Sequence, residues 1–176
     1  MKNLIRLEEL VVGWFKDRKI IPNGKAISQG TKTLEELREI YDAYILKDRA
    51  LMLDAIGDVA VTVIGGIRLV KDSPIFNKDN VEWYEHRYLT EEAIGISTVS
   101  NRVQRLLDEY LFDTKNPTSL QASAEAVMRN LHVLASIYDS SLAECLSLAY
   151  DEIKDRKGEM NELGVFVKEA DLQRVA

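Results

Sequence analysis

The chain has one cysteine, three prolines and nine glycines in 176 residues, and no surplus of positive charge. Each shortage excludes something. The lone thiol, Cys145, cannot close an internal disulfide and fits a reducing compartment. Within Leu142-Ala143-Glu144-Cys145-Leu146 it reads as a small buried packing residue. Few prolines and glycines mean few breaks, so long uninterrupted elements are expected. A net charge of −6 and a pI near 5.1 argue against a nucleic-acid polymer as partner. The most apolar stretch, residues 55–70, contains Asp58 and three glycines and is short for a bilayer, so no membrane partner is expected. Met1-Lys2-Asn3 leads into a charged amphipathic segment rather than an apolar leader, and a cytoplasmic location is the expectation. The sequence also lacks a Gly-rich phosphate loop, a Cys-x-x-Cys pair, a Ser-His-Asp set and the Glu-x-x-His of a di-iron carboxylate bundle.

What is present is ordinary for a globular protein: 46% hydrophobic and 30% charged residues, on a length suited to one domain over residues 1–176. Leu4, Leu7, Val11, Trp14 and Phe15 recur at three- and four-residue intervals, which predicts an amphipathic helix over 3–18. Ile21-Pro22-Asn23-Gly24 marks a turn. Ser28 is the expected N-cap of a second helix running to about Lys47, and Asp48 that of a third reaching about Val70. The β-branched run Val59 to Ile64 makes a buried strand a rival, but length and the lack of strand partners elsewhere favour helix. Gly57, Gly65 and Gly66 each cost a helix about 1 kcal/mol against alanine, which makes sense if another helix packs closely there.

Residues 72–89 read as a long loop, and 72–125 carry no assignable motif. Thr90-Glu91-Glu92 opens a helix to about Leu111, broken by Asn116-Pro117. Thr118 with Gln121, and Ser141 with Glu144, form capping boxes for two more helices, the last ending near Gly158. Gly164 to Lys168 reads as extended, before a short terminal turn. The expected fold is an all-α bundle of about five to six helices. Trp14, Trp83 and Tyr84 read as core or subunit-packing residues that could also stack a base. His86 and His132 form no local ligand pattern and read as structural.

The informative chemistry is acidic. Glu36 and Glu39 stand three apart on one face of the second helix, and Asp54 and Asp58 four apart on one face of the third. Asp58 precedes Val59-Ala60-Val61 and so borders an apolar interior, where an uncompensated acid is costly. If the two helices form a hairpin, these faces meet, and an oxygen-only ligand set suits a hard ion such as Mg²⁺ or Mn²⁺. The competing reading is a solvated acidic face neutralised by Lys32, Arg38 and Lys47.

The run Gln29-Gly30-Thr31-Lys32-Thr33-Leu34-Glu35-Glu36-Leu37-Arg38-Glu39, followed by Asp54-Ala55-Ile56-Gly57-Asp58-Val59, resembles the MazG-like nucleotide pyrophosphohydrolases, an all-α family. Their pattern is Glu-x-x-Glu, a spacer, then Glu-x-x-Asp. The stretches 149–158 and 164–168 resemble the ending of versions found in bacteriophages. One departure stands out: Ala55 occupies the place of the family's second-pair glutamate, and Asp54, one residue earlier, is the candidate replacement.

The resemblance implies a Mg²⁺-dependent (or Mn²⁺-dependent) enzyme that converts an NTP or dNTP to the monophosphate and pyrophosphate by water attack at the α-phosphorus. It implies Glu36, Glu39, Asp54 and Asp58 as metal ligands. Glu35 and Glu36 are the catalytic candidates, Glu35 as general base or as support behind the ligands. Gln29, Lys32, Lys154, Arg156, Lys157 and Lys168 are implied as substrate contacts. Family members assemble as homodimers or homotetramers, so a homo-oligomer is expected. The alternatives are a non-catalytic interaction module, with Ala55 marking lost chemistry, and a relative acting on phosphoribosyl-ATP.

Overall fold

The computed structural model describes residues 3–111, 117–161 and 166–169. The terminal turn expected after Lys168, and Gly164 and Val165 of the extended tail, lie outside these residues. Among the described residues the chain forms an all-α bundle: α1 (Leu4–Asp17), the single turn α2 (Ile20–Asn23), α3 (Ala26–Leu46), α4 (Arg49–Val70), α5 (Glu92–Leu111), α6 (Pro117–Ile137) and α7 (Leu142–Ile153). A small antiparallel hairpin follows, β1 (Gly158–Met160) against β2 (Phe166–Lys168), with Gly158 opposite Lys168.

α4 is the centre of the molecule. It starts where the Asp48 carboxylate accepts the N–H groups of Ala50 and Leu51 at 2.9 and 3.1 Å, as its sequence position suggested. Its apolar residues are buried almost all round, against α1, α3, α6 and α7. By length and composition α4 is long and apolar enough to cross a membrane, and 78% of its most apolar window is buried inside the bundle. The β-branched residues therefore sit on a helix, where tertiary burial overrides their strand preference.

Two glycines set how closely neighbours approach α4. A Cβ at Gly57 would collide with the Cys145 carbonyl of α7 and stand 2.9 Å from the Ala149 Cβ, and one at Gly65 would run into the Phe15 ring of α1. The helix cost of these glycines is thus offset by close packing on two sides.

Elsewhere the sequence signals met competing packing. α3 begins at Ala26, with Lys25 rather than Ser28 at the N-cap. The Ile21-Pro22-Asn23-Gly24 turn overlaps the short α2, which brings the helices among the described residues to seven. Pro117 is the first residue of α6, so Thr118 lies inside the helix rather than at its N-cap, and the Gln121 amide donates to the Pro74 carbonyl at 3.0 Å. The Ser141–Glu144 capping box is formed. α7 ends at Ile153 rather than near Gly158, because residues 158–160 pair with β2.

The 72–89 loop is anchored by a buried acid: Glu8 of α1 accepts the N–H groups of Ile75 and Phe76 at 2.9 Å each and faces Arg68 at 3.3 Å. Within the loop, residues Val81–Glu85 form a 3-10 turn. His132 bonds the His86 carbonyl at 2.7 Å and accepts from the Leu142 N–H at 3.3 Å, amid Trp83, Tyr84 and Tyr88. Its role is structural. Cys145 is fully buried, and burial pushes its thiol up to about 12.

Gly57→Ala gains about 1 kcal/mol of helix propensity yet is expected to lower stability by a net ~1–3 kcal/mol, because the new methyl forces α7 away. Urea unfolding followed by circular dichroism measures it.

Candidate metal and phosphate site

α3 and α4 form a hairpin turned at Lys47, which adopts the left-handed conformation that ends α3. The hairpin brings Glu36 of α3 and Asp58 of α4 to one cavity of about 250 Å³. α7, held close at Gly57, adds a carboxylate from its last turn. One oxygen each from Asp54, Asp58 and Glu152 lie within 4.8 Å of one another.

The electrostatics follow from this crowding. Burial, then the charges of Glu36, Asp54 and Glu152, push the Asp58 carboxyl up to about 7, with Arg156 pulling the other way. Burial and the neighbouring Glu39 push Glu36 up to about 7, opposed by Lys32 and Lys168. Asp54 is raised as well, by burial and then by Glu152. Like charges gathered in a partly dry site are at their least stable when all are ionised.

Cations line the same cavity. Lys32, Arg156 and Lys168 share the cavity wall with Ser28, Gln29, Glu36 and Asp58. Their placement has three sources. Lys32 stands one turn before Glu36 and pairs with Glu35. Lys168 is carried in by β2. Arg156 is set by a clamp from α1: the Trp14 indole N–H donates to the Ile153 carbonyl at 2.6 Å, and Arg18 donates to the carbonyls of Arg156 and Lys154 at 2.7 and 3.0 Å. Arg156 in turn pairs with Glu152. Trp14, Phe15, Ile20, Val61, Ile153, Phe166 and Val167 form the apolar part of the lining, with Trp14 and Phe166 edge-to-face at 5.6 Å.

Of the residues singled out from sequence, the structure gathers Gln29, Lys32, Glu36, Asp58, Arg156 and Lys168 around one cavity, with Asp54 beside Asp58. Others fall elsewhere. Lys154 is exposed and paired with Asp151, and Lys157 is exposed; neither lines the cavity, because the chain turns after Ile153 instead of continuing α7. Glu35 is exposed and paired with Lys32. Glu39 is half-buried in an adjoining hollow with Arg38, Asp42, Ile45, Leu46 and Leu51, close enough to act on Glu36 by its charge. Ala55 is fully buried in the core, so the site face of α4 passes through Asp54 and Asp58.

Glu152 is the residue that sequence reasoning missed. It sits in the alternating run Asp151-Glu152-Ile153-Lys154-Asp155-Arg156, where every charge has a solvated explanation. The available signal was its distance from Ala149 and Cys145: three and seven residues on, it shares the face of α7 that meets Gly57.

Comparison with family models, with curated proteins and with solved structures returned no match.

The donor set itself is chemically coherent. Carboxylate oxygens with no nitrogen or sulfur among them fit a hard divalent cation, and the nearby lysines and arginine fit an anion such as phosphate.

Asp58 and Glu36 have ordinary values of 3.8 and 4.5 and titrate near 7 in the folded chain. The folded state therefore holds protons that the unfolded chain has released, so the stability they contribute is fully present below the ordinary values and is lost as pH rises through about 7. In metal-free buffer urea stability is expected to decline across that window, with Asp58→Asn flattening the decline. An unchanged slope in Asp58→Asn contradicts the assignment.

Proposed function

We propose that this chain is a nucleotide pyrophosphohydrolase of the MazG-like kind, acting on an NTP or dNTP with Mg²⁺ or Mn²⁺. The supporting observation is that Glu36 and Asp58, from neighbouring helices, line one cavity together with Lys32, Arg156 and Lys168. The sequence motif supplied the two acids; the cations around the same space add what a polyphosphate needs.

Glu36, Asp54, Asp58 and Glu152 are the residues to hold the metal, with Glu152 and Asp54 standing in for the glutamate that Ala55 replaces. A divalent ion there supplies charge to phosphate oxygens and lowers the pKa of a bound water. Arg156, now paired with Glu152, would be available to a phosphate together with Lys32 and Lys168 if that carboxylate held a metal. Burial and the neighbouring Glu39 hold the Glu36 carboxyl near 7 in the empty site, so a divalent cation there would favour its ionised form. The apolar wall of Trp14, Phe15 and Phe166 suits a nucleoside, and the Gln29 amide, without a side-chain partner among the described residues, can bond a base edge. A small acidic protein with this chemistry suits the cytoplasmic nucleotide pool.

A panel of the eight common NTPs and dNTPs plus phosphoribosyl-ATP, assayed with Mg²⁺ for pyrophosphate release, tests the reading. A nucleoside triphosphate is expected to be cleaved to monophosphate and pyrophosphate. Glu36→Gln, Asp58→Asn and Glu152→Gln should each reduce kcat about 100-fold or more with native helicity retained, while Lys154→Ala should stay within about twofold. Cleavage of phosphoribosyl-ATP alone selects the relative, and no metal-dependent release from any substrate favours the non-catalytic module.

A further inference from the structure

Glu152 belongs to two arrangements at once. It pairs with the guanidinium of Arg156, four residues on, and it also brings an oxygen within 4.8 Å of oxygens from Asp54 and Asp58. Arg156 has no other side-chain partner among the described residues. The single guanidinium at the edge of this acidic group is therefore committed to one of its members.

The cations of the cavity divide by the acid they serve. Burial first, and then neighbouring acids, raise Asp54 and Asp58, and at both the opposing cation is Arg156. Burial and Glu39 raise Glu36, and there the opposing cations are Lys32 and Lys168. In the empty site Arg156 thus supplies Asp54, Asp58 and Glu152 with part of the positive charge that a divalent ion would bring.

The backbone under Arg156 is fixed while its side chain has somewhere to go. Arg18 donates to the Arg156 and Lys154 carbonyls at 2.7 and 3.0 Å, and the Trp14 indole holds the Ile153 carbonyl at 2.6 Å. Beyond that clamp a long aliphatic stem carries the head group, and rotation about its bonds redirects the charge without moving the chain. Arg156 already lines the cavity beside Lys32 and Lys168 and leaves 26% of its side chain open.

We propose that Arg156 is a built-in counter-ion exchanged for the metal: it holds Glu152 while the site is empty, yields that carboxylate to an arriving divalent cation, and turns to the bound anion. This rests on the metal-binding reading of the same cavity and adds a direction to it. Arg156 competes with the cation and cooperates with the anion, so the two ligands favour one another through this side chain. An anion arriving first meets uncompensated acids and a guanidinium already paired.

Mn²⁺ binding by electron paramagnetic resonance, and inorganic phosphate binding by calorimetry with and without Mg²⁺, test the exchange. Arg156→Gln should bind Mn²⁺ about threefold or more tighter, yet bind phosphate in Mg²⁺ about tenfold more weakly. A variant that merely disturbs the fold weakens both. Glu152→Gln should let the metal-free chain take phosphate about threefold or more better, and that gain should vanish when Arg156→Gln is added. Lys154→Gln, an exposed lysine paired with Asp151, should keep both affinities within about twofold. If Mn²⁺ binds wild type and Arg156→Gln equally, or the variant more weakly, the metal reading stands and the exchange is overturned. A phosphate gain that persists in the double variant also overturns it, and a wild-type chain that binds no Mn²⁺ removes the exchange and the metal reading together.

Discussion

Four carboxylates from three helices are held where they repel one another, and the rest of the structure has to sustain that. Glu36, Asp54, Asp58 and Glu152 gather at the junction of α3, α4 and α7, and crowding with partial burial lifts two of them to about 7. Left to themselves such groups separate or protonate. They stay together because the apolar surface of α4 is buried against its neighbours, a large and non-directional gain that outweighs a local electrostatic cost. Gly57 transmits that gain to the site, since its missing side chain lets α7 settle against α4.

The cationic half of the cavity depends on contacts made across the whole length of the chain. Trp14 and Arg18, near the start, hold carbonyl oxygens at 153, 154 and 156, and this fixes which of three neighbouring bases turns inward. The same turn sends residues 158–160 into a hairpin whose second strand delivers Lys168. Acid and base therefore come to the cavity by different routes: the acids on rigid helices, the bases on a clamped turn and a strand.

Local pattern made much of this readable. The periodicity of α1, the Asp48 cap and the Ser141–Glu144 capping box are decided within a few residues, and the fold agrees with them. Glu36 and Asp58 were visible for the same reason, because helical spacing and a bordering apolar run fix where they point. The start of α3, the end of α7 and the sorting of Lys154, Arg156 and Lys157 were not visible, since each is decided by a partner far away in sequence. Glu152 was hidden differently: in a run of alternating charges only the packing of α7 against Gly57 distinguishes it from Asp151 and Asp155. Ala55 illustrates the same limit, for its burial, unreadable from the motif, explains why Asp54 and not position 55 borders the site.

The central claim is that these carboxylates hold a divalent cation, and Mn²⁺ binding followed by electron paramagnetic resonance tests it most directly. The account predicts that free Mn²⁺ signal is lost on adding the protein, that Mg²⁺ competes for the same site, and that Asp58→Asn and Glu152→Gln each weaken binding about tenfold or more. Mn²⁺ that remains free at millimolar protein, or that binds equally well to both variants, would contradict it.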